Sequence, residues 1–356
     1  VKIAIICNYV LKPNRIGGMD RFYKLFNKKC LEVNHQVDWY FSHYEEFDFY
    51  QGLSIISSEG TSVEQKFIDS SKEKNIKYDV IITHFTQLCT KYYKQFKELH
   101  PNSYTIAVDH NARPLKGYSL KKSIKKRIDG LLYSKYINQF VGVSKYTFYH
   151  ILKDYGKNLK QKTQVIYNGI DTTVFKKKDK DLAHNFIVVA HLTYNKGIQD
   201  LLKALSLIDK NLLKNTQIDI YGEGPFEYQL KTLTNDFQLE KIVNFKGSSS
   251  ELNILFANYN YMIQPTYMEC FSLSILESLS ANVPVITTTV GGNLEVLKDQ
   301  VNGYIFKPKD YTKLASILTA ILSGKEKITI DVSKLIEDEF YIEKMVEEHL
   351  KIIPCI

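Results

Sequence analysis

The sequence predicts an α/β protein made of two similarly built halves, each a mainly parallel sheet covered by helices on both faces. Three observations carry that prediction. Apolar residues come in short blocks such as VKIAIICNY, NFIVVAHL, TQIDIYGEG, NYMIQPT and VPVITTT, each followed by a longer mixed stretch, as expected of strands buried on both faces. With 356 residues, the chain exceeds the usual span of one hydrophobic core. The strand-then-helix rhythm also restarts after TTVFKKKDKDLAHN, a charged stretch without periodicity that is the candidate linker.

In the first half, the strand VKIAIICNY passes through LKPNRIGG into a helix near Met19 to Leu31. QVDWYF is the next strand, and a polar, less regular region follows to about Asn75. YDVIITH and SYTIAVDHN are further strands, each ending at or near a histidine. Between Lys116 and Lys135, Leu120, Ile124, Ile128, Leu131 and Leu132 recur at helical spacing beside Lys116, Lys121, Lys122, Lys125, Lys126, Arg127 and Lys135. This is a helix with an apolar seam and a basic flank. Packing of the seam on its own domain, contact with anionic lipid and contact with nucleic acid are its three readings. NQFVGVS, a helix from about Lys145, and QVIYNGID complete the half.

In the second half, NFIVVAHL leads through TYNKG to the helix IQDLLKALSLI, and TQIDIYGEG leads to the helix FEYQLKTLTNDF. IVNFKG, NYMIQPT and VPVITTT continue the sheet, and Val332 to Ile353 reads as one or two helices with no strand after them. Ligands of such sheets sit at the carboxyl ends of the strands.

Composition narrows the function classes. A net charge of +8 with 25 Tyr and 19 Phe comes without a zinc-finger, RRM or KH signature, so nucleic acid is not the expected partner. No uninterrupted run of about 18 apolar residues marks a membrane span, and no small-residue cleavage pattern follows the first block, so the chain is expected in the cytosol. The five cysteines are widely spaced with no CxxC pair, which points to neither a disulfide framework nor a cysteine-rich metal site. HExxH, a DxD pair and His/Cys clusters at ligand spacing are absent from the sequence, so no metal is expected.

Several residues at predicted strand ends have the chemistry for a ligand site. Gly222 and Gly224 in IYGEGP permit a tight turn and close approach of a ligand to backbone amides at a helix start, or serve the turn alone. Gly17 and Gly18 hold a similar place, although the spacing is not GxGxxG. His191 and Lys196 end a strand; a lysine there neutralises a phosphate or is a solvated helix-start residue. Glu277 lies among Phe271, Leu273, Ile275, Leu276 and Leu279, where a buried carboxylate requires a donor such as a ribose diol. Glu269 lies just before that helix. The two form a paired acid and base, or are surface and capping acids; eight residues of helix would separate them by about 80° beyond two full turns. His110, and more weakly His84, follow strands where a histidine bonds a sugar hydroxyl, titrates near neutrality, or is simply a satisfied structural group.

These residues resemble the large retaining glycosyltransferase family 4, of the GT-B fold, over nearly the whole chain and most strongly from Val165 to Pro308. The most specific element is the E-x7-E signature, matched by Glu269 and Glu277 in ECFSLSILE. GGMDRF, VIYNGID, IYGEGP and the GG of Gly291 and Gly292 followed by NLEVLKDQVNGYIF, with Glu295, add further matches. The resemblance implies two Rossmann-like domains facing an interdomain cleft: 1–174 on the acceptor side, 175–335 for the nucleotide sugar, and 336–356 as a C-terminal helix packing back toward the first. It implies retaining transfer from a nucleoside diphosphate sugar to a hydroxyl of a glycan or lipid-linked saccharide, as in surface polysaccharide or glycoconjugate synthesis, with no cofactor or metal. Glu269, His110 and Lys196 take catalytic positions. Gly17, Gly18, His191, Lys196, Gly222, Gly224, Ser272, Leu273 and Glu277 bind the donor, Glu277 at the ribose.

The chain departs from the family where His191 stands in place of the usual arginine and where Cys270 and Ser272 stand in place of common glycines. A neutral imidazole offers one donor where a guanidinium offers a charged fork. The competing functions are a non-catalytic nucleotide- or glycan-binding protein, a nicotinamide-dependent oxidoreductase, and a phosphorylase-like or epimerase activity. The cytoplasm is the expected setting, with peripheral contact with the inner face of an anionic membrane, through the basic helix, as one of the readings.

Overall fold

The computed structural model describes residues 1–13, 16–178 and 185–354. It divides into two compact units, Val1–Gly169 with Ile342–Ile356, and Ile170–Tyr341. Both passages between them fall at one place in the second unit, where the Ile170 amide donates to Phe340 O at 3.0 Å and Ile170 pairs with Tyr341. Within the candidate linker, residues 179–184 lie outside the described residues.

The first unit runs β1 (Lys2–Leu11), α1 (Gly18–Glu32), β2 (Gln36–Tyr44), β3 (Ser54–Ser57), α2 (Val63–Glu73), β4 (Val80–His84), α3 (Lys91–Leu99), β5 (Tyr104–Asp109), α4 (Leu120–Tyr133), β6 (Gln139–Gly142), α5 (Lys145–Tyr155) and β7 (Thr163–Val165). All seven strands are parallel, in the order β3-β2-β1-β4-β5-β6-β7. The region read as irregular up to Asn75 contains β3 and α2. Helix starts follow side-chain chemistry: Ser62 accepts from the Gln65 amide, Ser119 from Lys122 and Ser144 from Thr147, each satisfying an amide that the helix leaves unpaired.

The second unit runs β8 (Asn185–Val189), α6 (Ile198–Ser206), β9 (Gln217–Tyr221), α7 (Glu227–Asp236), β10 (Val243–Gly247), α8 (Leu252–Leu255), β11 (Tyr261–Gln264), α9 (Leu273–Ser280), β12 (Val285–Thr288), α10 (Asn293–Val296), β13 (Gly303–Phe306), α11 (Tyr311–Leu322) and α12 (Lys334–Glu339). Its six parallel strands take the order β10-β9-β8-β11-β12-β13. The final helix, α13 (Ile342–Lys351), belongs to the first unit.

Both sheets therefore repeat the strand order of a Rossmann domain, reversing direction once beside their first strand, between β1 and β4 and between β8 and β11. Each sheet is covered on both faces, as parallel strands require. In the second unit, buried Ile198, Leu201, Leu202 and Leu205 of α6 and Leu314 and Leu318 of α11 pack on Phe186, Val188, Ile218, Ile220, Ile263 and Ile286. In the first, Phe67, Tyr93, Phe96 and Ile151 pack on Ala4, Ile6, Ile81, Ala107 and Phe140.

The helix α4 forms at the predicted place, and of its readings the structure does not take the one in which the seam packs on its own domain. Its apolar seam does not pack inward. Lys126 and Gly130 are buried, whereas Leu120, Ile124, Ile128, Leu131 and Leu132 are exposed. The cause is a charge network beneath the helix, set by its own lysine. Lys126 donates to the Tyr155 hydroxyl at 2.8 Å and lies 3.6 Å from Asp154. Asp154 and Asp109 together hold the buried Arg113 at 2.9 and 2.7 Å. One turn beyond Lys126, Gly130 lets α4 touch α5, since a Cβ there would lie 2.1 Å from Tyr155 O.

Gly130→Ala separates two opposing effects. Alanine gains about 1 kcal/mol of helix propensity, while the clash with backbone costs about 1–3 kcal/mol. We expect the urea midpoint of the first unit to fall; a midpoint that rises would show that α4 is free to move away from α5.

Candidate active site

In the second unit, the strand-order reversal leaves a crevice between the loops that follow β8 and β11, and both loops carry predicted site residues. After β8 the chain passes His191, makes a short turn over Tyr194–Lys196, and enters α6 through Gly197. Gly197 is required on two counts: its φ is +70°, and a Cβ would lie 1.9 Å from Pro265 O. The two loops touch where the Tyr267 amide donates to Asn195 O at 2.7 Å, and the Leu192 amide ties the first of them to the loop after β9 by donating to Glu223 O at 2.9 Å.

That packing brings Lys196 and Glu269 together across 73 residues of sequence, Nζ to Oε2 at 2.9 Å. Burial works against the lysine charge, and the neighbouring Glu269 carboxylate more than offsets it, so the Lys196 pKa is raised. The ammonium is firmly charged. The other Glu269 oxygen, Oε1, accepts from the Cys270 amide at 3.2 Å. The pair is neither sealed nor open, with the side chains 25% and 13% exposed.

A buried polar cluster, which the sequence did not single out, supports this pair. Tyr267 donates to Asp200 Oδ2 at 2.6 Å and receives a bond from Gln199 Nε2 at 3.0 Å; Gln199 also donates to Tyr194 O. The two loops are thus tied from behind, and Lys309 adds its ammonium over the Tyr267 ring at 5.2 Å. The only sequence signal was an Asp in the first turn of α6 and a Tyr two residues before Glu269.

The remaining predicted residues take clear local places. Ser272 caps α9, with its hydroxyl accepting from the Ile275 amide at 3.4 Å and from Gln264 Nε2 at 2.8 Å. Leu273 begins the helix. Glu277 lies in α9 and is half-buried, not enclosed as the apolar helix around it suggested. Glu269 precedes α9, so no helical angle relates the two glutamates. His191 is exposed. Gly222 and Gly224 are explained by packing: Cβ atoms would lie 1.9 Å from Ala190 O and 2.4 Å from Leu192 O.

In the first unit, the corresponding reversal lies between β1 and β4. Gly17 and Gly18 start α1, and the Gly17 amide donates to buried Asp20 at 2.8 Å. Tyr9 and Tyr50 also donate to Asp20. Asp20 was another unflagged residue; an acid three residues into a helix start was its signal. His84 at the end of β4 pairs with His110 beyond β5, Nδ1 to Nε2 at 3.0 Å. His349 of α13 stacks on His84 at 5.9 Å and donates to Met345 O from Nδ1 at 2.8 Å. Phe85 covers His110 at 4.0 Å from a left-handed conformation, φ +57°, which is uncommon for a bulky residue. The expectation that His110 titrates near neutrality fails. Burial pushes it down to about 3 against the opposing pull of Asp109, and pushes His349 down to about 4 and His84 well below its usual value.

Among the described residues no group of three or more His, Cys, Asp or Glu is arranged to hold a metal ion. Cys7, Cys30, Cys89 and Cys270 are buried and in no disulfide, and Cys355 lies outside the described residues.

The histidine cluster has a measurable consequence. A histidine neutral in the native state and protonated when unfolded costs stability as pH falls below its unfolded pKa of about 6.5, by about 1.4 kcal/mol per pH unit for each. That loss continues down to the native values of about 4 for His349 and about 3 for His110. Calorimetry should therefore show the first unit losing more Tm between pH 7 and 5 than a His349→Gln variant does; equal slopes would rule out the linkage.

Known proteins match this chain both in the second unit and over its whole length. Residues 170–330 match the family described as Glycosyl transferases group 1. An uncharacterized glycosyltransferase of Methanocaldococcus jannaschii is 25% identical over 99% of this chain and 97% of its own length. The N-acetyl-alpha-D-glucosaminyl L-malate synthase of Bacillus anthracis is also 25% identical, over 52% of each chain. In structure, the Anabaena protein HepE in complex with UDP matches at a TM-score of 0.76 with 17% identity, over 99% of both chains. The chain thus has the GT-B fold throughout, and its residues 170–330 are similar to the glycosyl transferases group 1 family.

Proposed function

We propose that the protein is a retaining glycosyltransferase that moves a sugar from a nucleoside diphosphate to a hydroxyl of a glycan or lipid-linked saccharide. The observation that carries this is the Lys196–Glu269 pair at the strand-order reversal of the second unit, within the residues similar to the group 1 family. A charged lysine held there by an exchangeable carboxylate is suited to receive a diphosphate. Similarity to HepE, solved with UDP and with UDP-glucose, supports a nucleotide sugar as donor. The family resemblance of the E-x7-E segment supports retention.

In the proposed reaction, the bond between the anomeric carbon and the diphosphate oxygen breaks, and its electron pair leaves with the diphosphate. Lys196 and the amides at the start of α9, at Ser272 and Leu273, offset the charge that develops. The acceptor oxygen bonds to the same face of the anomeric carbon and gives its proton to the departing phosphate. Glu277 accepts from the ribose hydroxyls, and Glu269 contacts the sugar and the charged reaction centre. Gly17, Gly18 and neutral His110 line the acceptor side; His110 takes part as a hydrogen-bonding group, since burial keeps it uncharged. The reaction as proposed assigns this charge stabilisation to protein groups rather than to a divalent ion. His191, exposed where the family usually has arginine, favours a second reading, a nucleotide-binding protein without turnover.

Calorimetry with UDP and with uridine tests the assignments. Lys196→Gln removes a charge-assisted bond of about 1.5–3 kcal/mol, so UDP should bind about 10–100-fold more weakly while uridine is unchanged. Glu277→Gln should weaken both. A variant pattern the other way round would reverse the phosphate and ribose roles, and tight binding without transfer to any acceptor would assign the chain to the second reading.

Transfer activity should also survive EDTA. Strict dependence on Mg²⁺ or Mn²⁺, lost on chelation and restored by the metal, would overturn the metal-free mechanism.

A further inference from the structure

The outward face of α4 is the largest departure from ordinary surface chemistry in the first unit. Leu120 and Leu131 are 78% and 71% exposed, and Ile124, Ile128 and Leu132 are each about half exposed. Single exposed apolar residues are common on soluble proteins. Five on one helix are a patch. At 3.6 residues per turn they span an arc of about 120°, with Lys121, Lys125 and Arg127 within or beside its edges.

This face cannot be turned inward by a small rotation. Lys126 is only 6% exposed and is held by the Tyr155 hydroxyl and Asp154, between the rings of Tyr118 and Tyr155 at 4.8 and 4.6 Å. Lys122, one turn earlier, lies over the Tyr118 ring at 4.5 Å, and Gly130, one turn later, lies against Tyr155 O. Arg127 donates to Lys153 O at 3.0 Å. The buried side of α4 thus consists of Lys126 and Gly130, with exposed Lys122 reaching over Tyr118 beside them, and the leucines and isoleucines are left facing out.

From this arrangement we infer that α4 is a membrane-docking helix that lies in the surface of an anionic bilayer, with its leucines and isoleucines among the acyl chains and Lys121, Lys125 and Arg127 at the headgroups. An apolar face with basic edges matches such a surface in both chemistry and charge. A second copy fits it less well, because two-fold pairing of one helix face would bring its basic edges against each other. No helix among the described residues is long and apolar enough to cross a membrane, so attachment through α4 is peripheral and reversible. Lys126, counted among the basic residues in the sequence, is not a headgroup contact. The docking face stands whether or not the second unit transfers sugar.

Flotation of the full chain tests the inference, using vesicles of phosphatidylcholine alone and of phosphatidylcholine with phosphatidylglycerol. The protein should float with the anionic vesicles at low salt, and high salt should weaken the association. Lys121→Gln with Lys125→Gln should reduce partitioning about 30-fold; Ile124→Ser, Ile128→Ser and Leu131→Ser together should abolish flotation. All these side chains are exposed, so both variants should melt at the wild-type temperature. The inference is overturned if the wild type stays unbound at low salt or if the serine variant floats as well as the wild type. A concentration-dependent dimer in sedimentation that the serine variant loses would also overturn it, by assigning the face to a second copy.

Discussion

A parallel strand must be covered on both faces, and a sheet built that way has to reverse its winding once; in this protein that reversal decides where polar chemistry can exist. Helices that follow strands on either side of it leave on opposite faces, so the loops there part and open a crevice at the carboxyl ends. In the second unit the parted loops are those after β8 and β11, which deliver Lys196 and Glu269. In the first they are those after β1 and β4, which deliver Asp20 and His84. Lys196 and Glu269 are far apart in sequence, and the winding of the sheet brings them into contact.

Much of this was legible in the sequence because buried parallel strands read as continuous apolar runs. VKIAII, DVIIT, TIAVD, FIVV, IDIY and VITT all became strands. The helices α2 and α3 were not legible: VEQKFIDSSKE and KYYKQFKEL bury few side chains each, and their polar majority masks the period. The strand β3 is only four residues, SIIS, and nothing in so short a segment separates it from a loop. The site residues were legible by type and place. The contact between Lys196 and Glu269 was not, since spacing carries no information across 73 residues. His349 was invisible for the same reason, joining His84 and His110 from the far end of the chain.

The helix α4 shows a different limit. Its period was read correctly, and its orientation was left open, because periodicity states that one face is apolar without stating what that face meets. The missing information lay in a lysine. Lys126 has partners waiting in Tyr155 and Asp154, and Asp154 is needed in turn by Arg113, itself bound to Asp109. Removing one member of such a buried network leaves an uncompensated charge, which costs about 3–5 kcal/mol. Each leucine or isoleucine left outside forgoes up to about 1.5–3 kcal/mol of burial, so the outward stripe is a standing cost that the network alone does not offset. The network fixes which side of the helix meets the domain, and the apolar stripe goes where the lysine leaves room.

The two ion-paired regions then differ in a way that bears on chemistry. The Arg113 pairs are sealed, with side chains at most 8% exposed, and no solute can compete for a charge it cannot reach. Burial likewise holds the neighbouring imidazoles of His84 and His110 neutral, so neither offers a charge there. Lys196 is paired just as closely, yet a quarter of its side chain is open. An ammonium in that setting keeps its charge through Glu269 and can still pass from the carboxylate to a more highly charged anion, because the exchange leaves neither group stranded in an apolar interior. The same carboxylate would then be released toward whatever that anion carries with it. Exposure, rather than the closeness of the pair, separates an ion pair that holds a fold from one that can serve a reaction.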